Sequence, residues 1–377
     1  MRTALALLLL VGCDTATRDE AAPDVSVDAV SVDAVSADAV LVDAAADAQP
    51  ADAVLDASLP LDAAPPDLGP DPAPALRLNH VQARGTHNSY HLRPTPVLHP
   101  SHDYQHAPLA EQLGAQGVRQ FELDVHARID GGFDVLHLPF IDAETSCLAL
   151  EDCLQHMLGW SNAHPGHLPV VVWFEPKDEG AGAASGYKPN DGTQLELEAA
   201  VRSVLPAHRI ITPDEVRGDS ATLREALLTR GWPSLHRLRG RFLFAILDEG
   251  SYRDAYLAGA PTLEGRLFFA DAGDPQAAYA AVFKINNGGS DEARARVAEG
   301  FLVTSNVDSA DGTPEENAAS RAAALANGVQ FLSSDHPAPD TPEDMDWLDI
   351  PGGTPARCNP VTAPEGCTAE ALENLGL

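Results

Sequence analysis

From residue 78 onward the chain repeats one pattern: a short apolar run, a polar or acidic cluster, then a helix-like stretch. Nine runs read as strands, at 81–86, 118–125, 169–174, 209–211, 242–247, 267–270, 281–285, 301–305 and 329–332. Between them the pattern predicts helices at 109–116, 148–160, 194–205, 222–230, 291–299 and 314–326. Such alternation implies parallel strands joined by crossover helices. Eight repeats close an α/β TIM (β/α)8 barrel, typically of about 250 residues, so one of the nine is surplus to it. A doubly wound open sheet is the alternative, but no GxGxxG or GxxxxGK[ST] motif follows any strand. Asp130-Gly131-Gly132 is a hairpin signature. It sends the chain from Val125 up and back through Val135 to His137, leaning that histidine over the mouth of the barrel.

The first 75 residues follow a different rule. Arg2 precedes an apolar run from Ala4 to Val11 that is too short to span a bilayer, and Leu10-Val11-Gly12-Cys13 follows. Residues 1–13 therefore read as an export signal, and the ending resembles a bacterial lipobox whose Cys13 is lipidated. Residues 14–75 return Asp every four or five positions among Ala, Val and Pro, with no aromatic residue. Such a composition buries too little surface to offset ordering entropy, so the segment is expected to be a solvated tether, with a reach of about 40 Å. The expected product is an exported, membrane-anchored lipoprotein of the cell envelope. Its catalytic domain would span 76–340 and a C-terminal extension 341–377.

Charge and cysteines narrow the class. The net charge of −32 gives no basic footprint for nucleic acid, and there are three lysines, Lys177, Lys188 and Lys284. Setting Cys13 aside, Cys147/Cys153 and Cys358/Cys367 form two close pairs that lack CxxC spacing. Outside the cytoplasm these read as two local disulfides rather than metal ligands. Nothing in the pattern asks for a second subunit, and the domain is expected to act as a monomer.

The candidate chemistry lies where strands end. Gly85-Thr86-His87-Asn88-Ser89-Tyr90 closes the first run. Glu122 and Asp124 share one face of the second strand, because residues i and i+2 point together. Glu175 ends the apolar run 170–174. Three carboxylates and the Asn88 amide make an oxygen-only site that suits Ca2+ better than Mg2+. Arg128, in phase with Glu122 and Asp124, would remove the need for a metal if it pointed inward. His87 and His137 beside such a site fit proton transfer on a phosphodiester. His91, His99, His102 and His106 show no evident partner and read as surface loop residues.

Taken in order, several segments resemble successive signatures of the calcium-dependent phosphoinositide-specific phospholipase C family, bacterial branch. They are Gly85 to Tyr90, Phe121-Glu122-Leu123-Asp124-Val125-His126 and Val135-Leu136-His137-Leu138-Pro139. His164 to Pro169, Phe174-Glu175-Pro176-Lys177-Asp178 and Ser333-Ser334-Asp335-His336-Pro337 continue the series. The resemblance implies His87 and His137 as the catalytic pair and Asn88, Glu122, Asp124 and Glu175 as Ca2+ ligands. It makes Glu122 a candidate base as well, and Lys177 a candidate for substrate binding. The implied reaction is attack of the inositol 2-hydroxyl on phosphorus in a membrane phospholipid, releasing diacylglycerol. Phe301 to Asn306 carries no basic residue where the family leads one to expect them, which favours an unphosphorylated inositol headgroup. The competing readings are a glycerophosphodiesterase or sphingomyelinase D-like hydrolase, and a barrel kept only as a surface binding module.

Overall fold

A computed structural model of the chain describes residues 75–309, 312–339, 346–353 and 355–373. The expected signal segment, Cys13 and all but the last residue of the expected tether lie outside them. In chain order the described elements are β1 (Val81–Thr86), α1 (Leu109–Gly114), β2 (Val118–Ala127), β3 (Phe133–Val135), α2 (Leu150–Ala163), β4 (Val170–Pro176) and α3 (Gln194–Val204). Then follow β5 (Ile210–Ile211), α4 (Pro213–Arg217), α5 (Leu223–Arg230), α6 (Leu235–Leu238), β6 (Phe242–Ile246), α7 (Ser251–Leu257) and β7 (Phe269–Ala270). The rest are β8 (Val282–Lys284), α8 (Asp291–Ala298), β9 (Leu302–Asn306), α9 (Pro314–Ala326), β10 (Phe331–Ser334), β11 (Ala356–Cys358) and α10 (Ala369–Glu373).

Eight of the strands pair in parallel around a ring: β1, β2, β4, β6, β7, β8, β9, β10 and back to β1. This is the expected α/β barrel. The surplus run is β5, which pairs only with the start of β6, while β7 pairs with its end. The narrowest seam lies between β7 and β8, where one bridge (Asp271 to Val282) carries the pairing. No helix forms within that connection among the described residues; α5 reaches it instead, Arg224 Nε donating to Pro275 O at 2.6 Å.

Local sequence explains why the elements start where they do. Thr313 and Glu316 form a reciprocal capping box at the head of α9, with Pro314 in its first turn. Ser290 caps α8 and Thr222 caps α5 by accepting from the backbone N–H of Ala293 and Glu225. The barrel interior is packed rather than hollow. Trp173 Nε1 on β4 donates to Thr304 Oγ1 on β9, 3.1 Å away on the opposite side of the ring. Gly85 is required by close approach, since a Cβ there would stand 2.0 Å from Gln120 Oε1.

Two excursions leave the ring. β3 turns back antiparallel on the end of β2, with Val125 opposite Val135, as the Asp-Gly-Gly signature predicts. β11 runs antiparallel to the start of β1, bringing Cys358 opposite Val81. Both expected disulfides are present: Cys147–Cys153 ties the segment after β3 to α2, and Cys358–Cys367 closes the C-terminal extension on itself.

Candidate active site

The carboxylates are gathered by strand register. Phe121 and Leu123 belong to the hydrophobic core, which commits the intervening Glu122 and Asp124 to the opposite face of β2. Glu122 then lies in register with Trp173, and Asp124 with Glu175, on the neighbouring β4. Glu122 and Asp124 are buried, and one oxygen from each of Glu122, Asp124 and Glu175 lies within 4.8 Å of the others. Asn88 lies just beyond β1, next to Ser89, whose N–H donates to Glu122 O at 2.9 Å. The Asn88 φ of 42° falls in the left-handed region, which Asn tolerates better than most side chains.

Two ammonium groups face this acidic cluster. Lys177 Nζ lies 2.6 Å from Glu175 Oε1 and 3.5 Å from Asp124 Oδ2. Lys284, crossing the barrel from β8, hydrogen-bonds to Glu122 Oε2. Burial opposes the Glu122 charge, but Lys284 and then His87 outweigh it and hold the carboxyl below its usual range. Asp124 goes the other way: burial, then the neighbouring Glu175, push it well above the usual range although Lys177 pulls it down. Among the described residues, both Asp124 oxygens and Asn88 Oδ1 are buried without a hydrogen-bond donor. Buried acceptors left this way are costly. A hard dication would satisfy them, and carboxylate and amide oxygens are donors of the kind Ca2+ takes.

His87 stands on one side of the cluster. β1 and β10 are in register at Thr86 and Ser334, so the next residue of each strand, His87 and Asp335, falls side by side. His87 Nδ1 is 2.9 Å from Asp335 Oδ1, and its Nε2 is 3.6 Å from Glu122 Oε1. Burial disfavours the imidazolium, but Asp335 and then Glu122 outweigh it and raise the pKa to about 9. The carbonyl of His87 accepts from His106 Nε2 at 2.8 Å.

His137 is delivered by the return arm of the β3 hairpin. Its Nδ1 is 2.7 Å from Asp142 Oδ2. Asp142 is fully buried, and its second oxygen accepts from His91 Nε2 at 2.9 Å. His126 Nε2 contacts the carbonyls of Leu136 and His137 at 3.1 and 3.2 Å, which fixes the backbone that carries the His137 ring.

Several expectations need correction. His91, His102 and His106 are buried rather than surface residues, His91 and His106 with hydrogen-bond partners, because the 87–107 loop folds down over the barrel mouth; His99 alone of the four is exposed. Arg128 does not enter the carboxylate cluster. Its guanidinium is turned to the hairpin, donating to Gly131 O at 2.8 Å and to Asp134 Oδ1 at 3.2 Å. The cation that does enter from across the barrel is Lys284, which sequence reasoning missed. The signal was there, since Lys284 ends the apolar run Val282-Phe283 as Glu175 ends its own. Asp142 and Asp335 were also missed as partners of the two histidines.

The family model of the Ca2+-dependent phosphoinositide phospholipases C matches residues 76–133 and 130–360 of the chain. Among solved structures, the chain is similar to an apo calcium-dependent phosphoinositol-specific phospholipase C from a Gram-negative Pseudomonas sp. The identity is 16% and the TM-score 0.51, over 73% of this chain and 96% of that one. It is also similar to a Ca2+-dependent phosphatidylinositol-specific phospholipase C from Streptomyces antibioticus, at 23% identity and TM-score 0.50, over 69% and 95% of the two chains. At such identities these structures speak for the fold. No curated protein sequence matches the chain.

Proposed function

The chain belongs to the Ca2+-dependent phosphoinositide phospholipase C family, and from that premise we propose that it cleaves the phosphodiester of phosphatidylinositol at a membrane surface. The observation that carries this reading is the pairing of each candidate imidazole with its own carboxylate, His87 with Asp335 and His137 with Asp142. A hydrogen bond at Nδ1 fixes the tautomer and leaves Nε2 for the substrate.

Asn88, Glu122, Asp124 and Glu175 would hold the calcium ion. When bound, it lowers the pKa of the attacking 2-hydroxyl and offsets the charge of the phosphoryl group. Glu122, kept ionised by Lys284 and His87, accepts the proton of that hydroxyl. His87, protonated at neutral pH, donates through Nε2 to a phosphoryl oxygen and stabilises the developing negative charge. His137 Nε2 protonates the leaving diacylglycerol oxygen, while Asp142 stabilises the ring. Lys177 binds the phosphate or a ring hydroxyl from its place beside Glu175.

An unphosphorylated inositol ring fits best. The hollow adjoining Asp335 is lined by Tyr104, Asp308, Ser309, Asn317, His336 and Asp346 among others, and among the described residues no Lys or Arg lines it. Such a surface hydrogen-bonds to hydroxyls and repels ring phosphates. The family match disfavours the glycerophosphodiesterase and sphingomyelinase D-like readings. The set of two imidazoles and four oxygen donors disfavours a binding module without turnover. Incubating the full-length protein with vesicles of phosphatidylinositol, phosphatidylinositol bisphosphate or phosphatidylcholine tests this. Diacylglycerol and an inositol phosphate should form fastest from the first; equal turnover of phosphatidylcholine would refute it.

Export and anchoring belong to the same proposal. Two disulfides support folding in an oxidising compartment. No helix among the described residues is long and apolar enough to cross a membrane. Lipidated Cys13, at the far end of a tether over 14–75, would keep a monomeric catalytic domain within reach of its lipid substrate.

A further inference from the structure

Asp142 has more imidazole around it than a catalytic pair needs. His137 Nδ1 and His91 Nε2 take one oxygen each, at 2.7 and 2.9 Å. A third ring, His102, brings its Nδ1 to 3.6 Å from the oxygen that His137 already uses. His102 is 7% exposed, and among the described residues its Nδ1 is buried without a hydrogen-bond partner. The His102 and His137 rings stand edge to face, with centroids 5.3 Å apart. A buried imidazole nitrogen aimed at a shared carboxylate, with no bond made, is a group awaiting a ligand.

We propose that His102, His137 and Asp142 form a second metal site, which takes a borderline transition-metal dication of the Zn2+ kind and switches off the activity proposed above. One ring nitrogen from each of His102 and His137 and one Asp142 oxygen lie within 4.8 Å of one another, and both Nδ1 atoms approach Asp142 Oδ2. Tetrahedral Zn2+ with bonds of about 2.0–2.1 Å holds its ligands about 3.3 Å apart. The 2.7 and 3.6 Å separations from Asp142 Oδ2 bracket that value. Two nitrogens and one oxygen suit Zn2+ and are foreign to Ca2+, so this site and the Asn88, Glu122, Asp124 and Glu175 cluster select different ions. His91, on the other oxygen of Asp142, orients the carboxylate ligand from behind and is itself stacked on Tyr104 at 4.3 Å.

Inhibition follows from the shared ring and rests on the assignment of His137 in the proposed function. Coordination at His137 Nδ1 releases to solvent the proton that this nitrogen shares with Asp142. With the metal on Nδ1, the ring no longer has Asp142 to stabilise its imidazolium and cannot serve as the acid for the leaving oxygen.

The test is a calorimetric titration of the full-length protein with ZnCl2 in calcium-containing buffer. Co2+ absorption in the visible reports the coordination, and phosphatidylinositol hydrolysis is measured in parallel. The His102→Gln variant accompanies the wild type, with His102→Phe in its place if the thermal melt of the first shows a folding defect. The expected result is a single tight Zn2+ site that weakens at least about tenfold in the variant. Zn2+ should suppress wild-type hydrolysis at least tenfold and that of the variant less than twofold, each against its own rate in calcium without zinc. Equal Zn2+ affinity in the two proteins, or equal inhibition, overturns the proposal. Tight, His102-dependent binding to a wild type that never hydrolyses phosphatidylinositol upholds the site and instead sinks the proposed function.

Discussion

Lys284 and Glu122 approach from opposite sides of the barrel and meet in an ion pair, their side chains 4% and 2% exposed. Removing one partner of a buried pair leaves an uncompensated charge and costs about 3–5 kcal/mol. Lys284→Met is therefore expected to lose stability of that order when calcium is chelated. Because a dication at Glu122 replaces the missing charge, millimolar Ca2+ should restore a substantial part of it. Urea unfolding with EDTA and with Ca2+ measures both. An identical loss in the two conditions would separate Glu122 from the metal site.

The two histidine–carboxylate pairs predict a graded mutant series. His87→Ala and His137→Ala should each lower kcat by about 100- to 10,000-fold, the range of a positioned acid or base. Asp142→Asn and Asp335→Asn should cost less, because the amide keeps the ring in place but loses the charge that stabilises the imidazolium. KM should move little in all four. A full rate in either alanine variant, by steady-state assay on phosphatidylinositol vesicles, contradicts the roles assigned here.

Much of this arrangement was legible in the chain. β2 could be read because Phe121, Leu123 and Val125 alternate with Glu122 and Asp124, and β4 because its apolar run 170–174 ends at Glu175. The Asp-Gly-Gly turn gave away the hairpin, and with it the position of His137. The 87–107 loop carries no period at all. Burial of His91, His102 and His106 arises from packing across the barrel mouth, and no local pattern encodes it. Lys284 was missed for a different reason: its partner lies 162 residues away, on the opposite strand of a ring whose closure the sequence only implied. Among the helices, α4, α6, α7 and α10 were overlooked because each is short, at four to seven residues, too little for a helical period to register.

Buried neutral histidines set an acid limit on the fold. Burial lowers His167 to about 3 and His106 to about 4, both below the ordinary 6.5. Above pH 6.5 these rings are neutral folded or unfolded. As pH falls below 6.5 the unfolded chain takes up protons that the fold refuses, so stability declines down to about pH 4 for His106 and about pH 3 for His167. Each ring contributes about 1.4 kcal/mol per pH unit within its window. Urea midpoints at pH 7, 6 and 5 should fall in that order, and His167→Gln should flatten the decline. An unchanged slope in the variant would show that His167 is not held neutral by the fold.

The account stands or falls on a dication held by Asn88, Glu122, Asp124 and Glu175 between the two imidazoles. The most direct test is the rate of inositol phosphate release from phosphatidylinositol vesicles by the full-length protein, first in EDTA and then after calcium is returned. The account predicts at least about a 100-fold loss in chelator, recovery with Ca2+, and no recovery in Asp124→Asn. A rate in EDTA equal to the rate in calcium would contradict it.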